Sequence, residues 1–232
     1  VQLVIDAGLT GPATDYLVVK ITGIAAGWGV DTSVSGGSYD ALTGTWTVTL
    51  APGQNFHGGP VFSPPANSDA DLTGLQVSAT EVDPLTSQSA SVSGTASITT
   101  DAVVDAITVD AQNASGDEDS NIPLTVNIGA SADTDGSEHI TKVLISGVPA
   151  GATLNHGTNL GGGVWQLTQA DLAGLTIKPA ANWSGTFNLT VAVTNEETSL
   201  SGTEFDYTDN KLTVVDAMSV TVNPVADQPE LS

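Results

Sequence analysis

Phe187-Asn188-Leu189-Thr190-Val191-Ala192-Val193-Thr194 decides the fold class. In an extended chain, Phe187, Leu189, Val191 and Val193 share one face, and Asn188, Thr190, Ala192 and Thr194 share the other. Branching at Cβ stiffens valine and threonine side chains, which suits a pleated, half-buried surface better than a helix. The same period-2 pattern recurs at Leu124, Val126 and Ile128, at Val143 and Ile145, and at Trp46, Val48 and Leu50. Turn signals separate these runs: Ser35-Gly36-Gly37-Ser38, Pro52-Gly53, Pro149-Ala150-Gly151 and Gly161-Gly162-Gly163. Short strands at this spacing predict an all-β sandwich, with a single irregular barrel as the alternative.

The chain also repeats itself. Val19-Lys20-Ile21-Thr22-Gly23-Ile24 matches Val143-Leu144-Ile145-Ser146-Gly147-Val148, and the stretch around Trp46 resembles that around Trp165. Pro65-Ala66-Asn67 recurs as Pro179-Ala180-Ala181-Asn182, Leu75-Gln76-Val77 as Leu189-Thr190-Val191, and Ala96-Ser97-Ile98-Thr99 as Met218-Ser219-Val220-Thr221. Order is kept at a shift of about 120 residues, the mark of a tandem duplication. The prediction is two tandem immunoglobulin-like β-sandwich domains, each long enough for its own core. Residues 1–104 form the first and more divergent one, 105–119 an acidic linker, 120–225 the second domain, and 226–232 the start of a further linker. Val1 reads as an entry into mid-strand, so the chain reads as a piece of something longer.

Charge narrows the function. Net charge is −22, with only four Lys and Arg, and none of these lies between Ile21 and Thr141. Nucleic-acid binding and attraction to an anionic membrane both need cationic side chains, so neither is expected. The absence of cysteine rules out disulfides and thiolate chemistry. No apolar run is long enough for a membrane-spanning helix. The acids cluster at Asp101, Asp105, Asp110, Asp117, Glu118 and Asp119, and again at Asp133, Asp135 and Glu138. Paired carboxylates repel by about 1 kcal/mol in water and by several times that near a protein surface. A hard divalent cation relieves this, since Ca2+ takes six to eight oxygen ligands.

The second half resembles a known family. Its carriers are Gly116-Asp117-Glu118-Asp119-Ser120-Asn121-Ile122-Pro123-Leu124, Asp133-Thr134-Asp135-Gly136-Ser137-Glu138 and Ile145-Ser146-Gly147-Val148-Pro149-Ala150-Gly151-Ala152, with the ending Val222-Asn223-Pro224-Val225-Ala226-Asp227-Gln228-Pro229. These are similar to the tandem cadherin-like repeats of giant bacterial RTX adhesins, the type I-secreted proteins that build biofilms. The resemblance spans 105–232 and is weaker over 1–104. It implies non-enzymatic, monomeric extender modules on the bacterial cell surface, which contact neighbouring repeats of the same chain and are stiffened by calcium at the joints.

The expected calcium ligands are Asp105, Glu118, Asp119, Asp133, Asp135 and Glu138. The strand from Ile122 to Ile128 should return so that all six meet at one apex, with Gly136 permitting the tight turn. The spacing is not that of an EF-hand. The first module offers only Asp15 in the stretch Leu9-Thr10-Gly11-Pro12-Ala13-Thr14-Asp15, which predicts a metal-free end there. Trp46 and Trp165 read as core. Trp28 and Trp183 sit in Gly- or Asn-rich loops and read as lids over the sandwich or as stacking platforms. Trp28 and His57 are the candidates for a glycan- or peptide-binding task in the first domain. His57, His139 and His156 lack zinc-site spacing. No nucleophile-elbow sequence is present, and the chain is too poor in aromatics for the subsites around a glycosidase carboxylate pair.

Overall fold

The computed structural model describes residues 1–198 and 208–227, so residues 228–232 of the expected terminal linker, Gln228-Pro229 among them, lie outside the described residues. The described residues form two compact units, 1–101 and 102–198 with 208–227. Apart from a 3-10 turn at Ala170–Leu172, their regular structure is all β.

The first unit contains β1 (Ile5–Ala7), β2 (Tyr16–Thr22), β3 (Gly29–Asp31), β4 (Ser38–Asp40), β5 (Thr45–Thr49), β6 (Phe56–Gly58), β7 (Val61–Ser63), β8 (Leu72–Val82) and β9 (Ser89–Ile98). Its main antiparallel sheet has the order β4-β5-β2-β8-β9, and β1-β6 and β3-β7 form two small sheets. Val19, Ile21, Trp46 and Leu75 point inward from the main sheet and are fully buried against Phe56 and Phe62 of the small ones. Trp46 and Phe56 meet as tilted rings with centroids 5.9 Å apart.

The second unit contains β10 (Thr108–Gln112), β11 (Ala114–Asp117), β12 (Ile122–Pro123), β13 (Thr125–Gly129), β14 (Glu138–Ser146), β15 (Thr153–Leu154), β16 (Thr158–Gly161), β17 (Val164–Leu167), β18 (Thr176–Lys178), β19 (Gly185–Glu197) and β20 (Lys211–Asn223). Its main sheet runs β11-β20-β19-β14-β17-β16, beside β12-β18-β15 and β10-β13. Pairing is antiparallel except at β11, which runs parallel to β20. The alternation predicted for 187–194 is realised: Leu189, Val191 and Val193 are fully buried in one core with Val143, Ile145, Ile122 and Ile177.

The internal repeat holds at the level of strand register. Ile21 pairs with Trp46 and Val77, and Ile145 pairs with Trp165 and Val191. Leu75 pairs with Ala96, and Leu189 with Met218. Turn chemistry repeats as well. Ile24 N donates to Gly44 O, and Val148 N to Gly163 O, each at 3.1 Å. Both glycines have positive φ, and a Cβ would sit 2.3 Å from Ile24 O at Gly44 and 2.6 Å from Val148 O at Gly163. Only glycine fits either turn. Asn67 and Asn182 are left-handed at φ 54° and 55°, a conformation asparagine tolerates better than most residues.

Candidate functional site

Antiparallel pairing of β14 with β19 sets Glu138 opposite Glu197 and Ile140 opposite Asn195, at one end of the second unit. The loop entering β14 is a tight acidic turn. Asp133 accepts from the backbone N–H of Asp135 (3.0 Å) and Gly136 (2.9 Å), and Gly136 has φ 85°. Asp135 Oδ1 accepts from Ser137 N (3.2 Å) and Oγ (2.6 Å). Ser137 Oγ also lies 2.9 Å from Glu197 Oε2. Asp105 arrives just ahead of β10: its N–H donates to Glu138 Oε1, while Asn195 Nδ2 donates to Glu138 Oε2 (2.7 Å) and to Asp105 O (3.3 Å). Asn195, Glu197, Asn210 and Ser137 are all buried here. Burial pushes the Asp105 carboxyl above its ordinary value, and the charges of Glu138, Asp133 and Asp135 push it further. Lys211, next to Asn210 in the chain, is engaged elsewhere, 2.6 Å from Glu196 Oε1.

Four of the six expected ligands therefore gather at this end: Asp105, Asp133, Asp135 and Glu138. Glu118 and Asp119 do not join them. Strands β10 and β11 carry the chain away from Asp105, and β11 pairs with Val220–Asn223 at the far end of β20. Glu118 N donates to Asn223 O (2.9 Å), Glu118 Oε1 accepts from Val225 N (2.7 Å), and Asp119 accepts from Asn182 N (3.1 Å). Since β20 has 13 residues, the two acidic groups are separated by roughly 40 Å at about 3.3 Å per residue. A single six-carboxylate apex is thus corrected to acids at two opposite ends, because the stretch 105–119, expected as a linker, holds the two strands β10 and β11.

Glu197, Asn195 and Asn210 were missed by the sequence reading. The signal for two of them was present: the alternation of 187–194 continues through Asn195 and Glu197 to the same strand end. The first unit needs the matching correction. Asp15 is buried with Glu81 and Asp83 close by, and burial, followed by these two charges, raises its carboxyl above the ordinary value. Glu81 accepts from Thr10 N (3.1 Å), Thr10 Oγ1 (2.9 Å) and Gly11 N (2.7 Å), and bonds led by those from Thr10 hold it below the usual range.

The binding candidates of the first unit fare differently from the acids. Trp28 is 6% exposed and belongs to the core, so it is no stacking platform. A turn closed by Trp28 N to Ala25 O folds its large apolar ring inward, where burial is most favourable. His57 is exposed, its Nδ1 2.5 Å from Asp6 Oδ1. In the second unit Trp183 is half-buried against Phe187, with centroids 5.6 Å apart.

Chemically, the end around Asp105 offers carboxylate, amide and hydroxyl oxygens with no sulfur, a donor set that suits Ca2+ or Mg2+. Among the described residues no three acidic or histidine side chains already converge as a metal cradle. Both Asp133 oxygens and Asp135 Oδ1 instead accept hydrogen bonds within their own turn, so binding through them requires the carboxylates to rotate. Among the described residues, no helix is long and apolar enough to cross a membrane. No protein-family model matches this chain, and a search of curated proteins finds none similar to it.

Proposed function

We propose that this chain is a pair of immunoglobulin-like, cadherin-like extender modules from a bacterial cell-surface adhesin, with calcium as the stiffening ion. The observation that carries this is the gathering of Asp105, Asp133, Asp135 and Glu138 around buried Glu197, in a chain with no Lys or Arg from Ile21 to Thr141. Like charges held this close repel, and a divalent cation with oxygen ligands relieves that repulsion. The two-layer sheets, the repeated register and the resemblance of 105–232 to RTX adhesin repeats support the same reading. The ion's chemistry here is electrostatic: it binds the entry strand at Asp105 to the β14 turn and so fixes the direction in which the chain enters the second unit. Glu118 and Asp119 serve the opposite end, next to Val225 and the stretch leading to Asp227.

By mass action, free calcium at about a hundred times its dissociation constant adds about 2.7 kcal/mol to the folding of the unit that binds it. Adding a chelator should lower that unit's melting temperature by several degrees. Small-angle scattering should show a broader ensemble once calcium is removed. Melting and scattering curves indifferent to chelator would contradict the proposal. The rival reading, a glycan- or peptide-binding first unit, loses Trp28 as a stacking platform, since that ring lies in the core, and keeps the exposed His57.

A further inference from the structure

The first unit has an open groove of 710 Å³ where the second unit is closed. Leu3, Ile5 and Ala7 form one wall, Val77 and Ala79 the floor, and Val92 the other wall. The register shows what should lie over it. Ala79 pairs with Val92 as Val193 pairs with Val214, and Val77 pairs with Gly94 as Val191 pairs with Asp216. Val191 and Val193 are 0% exposed; their counterparts Val77 and Ala79 are part-exposed, and Val92 is 70% exposed.

In the second unit the cover is the chain from Thr108 to Asp117. Strand β10 pairs with β13, β11 pairs with the outer edge of β20, and Ala111 N is held by Asp216 Oδ2 at 2.8 Å. In the first unit, among the described residues, β1 pairs only with β6, and β9 only with β8. The strand edges facing the groove therefore have no ladder partner among the described residues, and a Cβ at Gly94 would meet nothing within 4 Å. Two unpaired edges beside apolar side chains suit an added strand, whose backbone would complete both ladders.

We propose that this groove is a strand-acceptor site, filled by an extended segment joined directly ahead of Val1, with small and branched apolar residues at alternate positions. The source is fixed by the repeat. Leu3 N donates to Pro60 O as Leu124 N donates to Leu175 O, so Val1 corresponds to Ile122. In the second unit the covering strand ends at Asp117, a short turn before Ile122. A covering strand of the first unit would enter Val1 in the same way.

The test uses the full chain with a copy of residues 107–121 grafted ahead of Val1. A second graft carries an alternating Thr-Val segment, and a third is the 107–121 copy bearing Val109→Asp and Ala111→Asp. Hydrogen exchange is followed at the amides of residues 4–8 and 92–101. Either apolar graft should slow this exchange by at least about tenfold, and the Asp-bearing graft should not. Unchanged exchange with both apolar grafts would overturn the proposal. Equal protection by the Asp-bearing graft would also overturn it. So would equal protection by the same peptide added free at equimolar concentration, or concentration-dependent protection of the ungrafted chain, which would assign the groove to a separate peptide or to a second copy.

Discussion

The two units share a register and differ at their margins. Ile21-Trp46 and Ile145-Trp165 occupy the same place in two main sheets, and Gly44 and Gly163 close the same turn. Yet β20 has a neighbour on both sides, whereas β9, among the described residues, is an edge. The acidic ends differ as well: Asp105, Asp133, Asp135 and Glu138 in the second unit, against Asp15, Glu81 and Asp83 in the first. In the first, Glu81 is already bound to Thr10 and Gly11. Buried positions in a duplicated fold are constrained from all sides by packing, while strand ends and edges are free to change chemistry. That is where the functions of the two units should diverge.

The comparison is tested most forcefully at its shared centre. Trp46→Ala and Trp165→Ala should each destabilise their own unit by about 3–5 kcal/mol. The effect should be larger at Trp46, which is 0% exposed against 8% for Trp165. Calorimetry resolving two transitions would show each substitution lowering one of them; a single transition lowered equally by both would break the account of two separate cores. Next in size is calcium. Its removal should lower the second unit's transition by an amount corresponding to about 2.7 kcal/mol under near-saturating conditions, and Asp133→Asn with Asp135→Asn should abolish the difference. A first unit that responds more strongly than the second would reverse the assignment of the metal-binding end.

Smaller effects sharpen the same comparison. Gly44→Ala and Gly163→Ala each force a Cβ against a carbonyl oxygen at positive φ, and each should cost about 1–3 kcal/mol, measured by denaturant melts. A neutral result at either site would mean that the turn relaxes. The weakest effect is on pH. The raised Asp105 carboxyl favours the protonated form in the folded, metal-free state, so its contribution is complete below the ordinary value of 3.8 and is lost as pH rises through its folded value. In chelator, Asp105→Asn should therefore flatten the loss of stability on the alkaline side of 3.8. An unchanged pH profile would show that Asp105 does not feel its neighbours.

Much of the framework was legible because burial writes a period into the sequence. Leu189, Val191 and Val193 announce a strand, and the repeat of Ile21 and Trp46 as Ile145 and Trp165 announces a second copy. The candidate site was legible only in part. Asp133 and Asp135 stand out because Gly136 turns the chain beside them, but Glu118 lies close to Asp105 in number and far from it in space. That distance depends on whether the intervening residues reverse or run on, and the alternation of 108–117 carries no direction. Glu81 and Asp83 were hidden for a related reason: they join Asp15 only through the β2–β8 pairing, which sets Tyr16 opposite Val82. Trp28 stayed open between lid and stacking platform because glycines on both sides suggest an exposed loop, and the lid reading prevails since a large ring gains most from turning inward.

The central claim is that calcium binds at the Asp105 end of the second unit. Titration calorimetry on four proteins tests it most directly: the unchanged chain, Asp133→Asn with Asp135→Asn, Glu118→Gln, and Asp15→Asn. The account predicts saturable binding to the unchanged chain, its loss or at least about tenfold weakening in the Asp133/Asp135 variant, and retention of that binding step in the Glu118 and Asp15 variants. No binding to the unchanged chain, or binding undiminished in the Asp133/Asp135 variant, would contradict it.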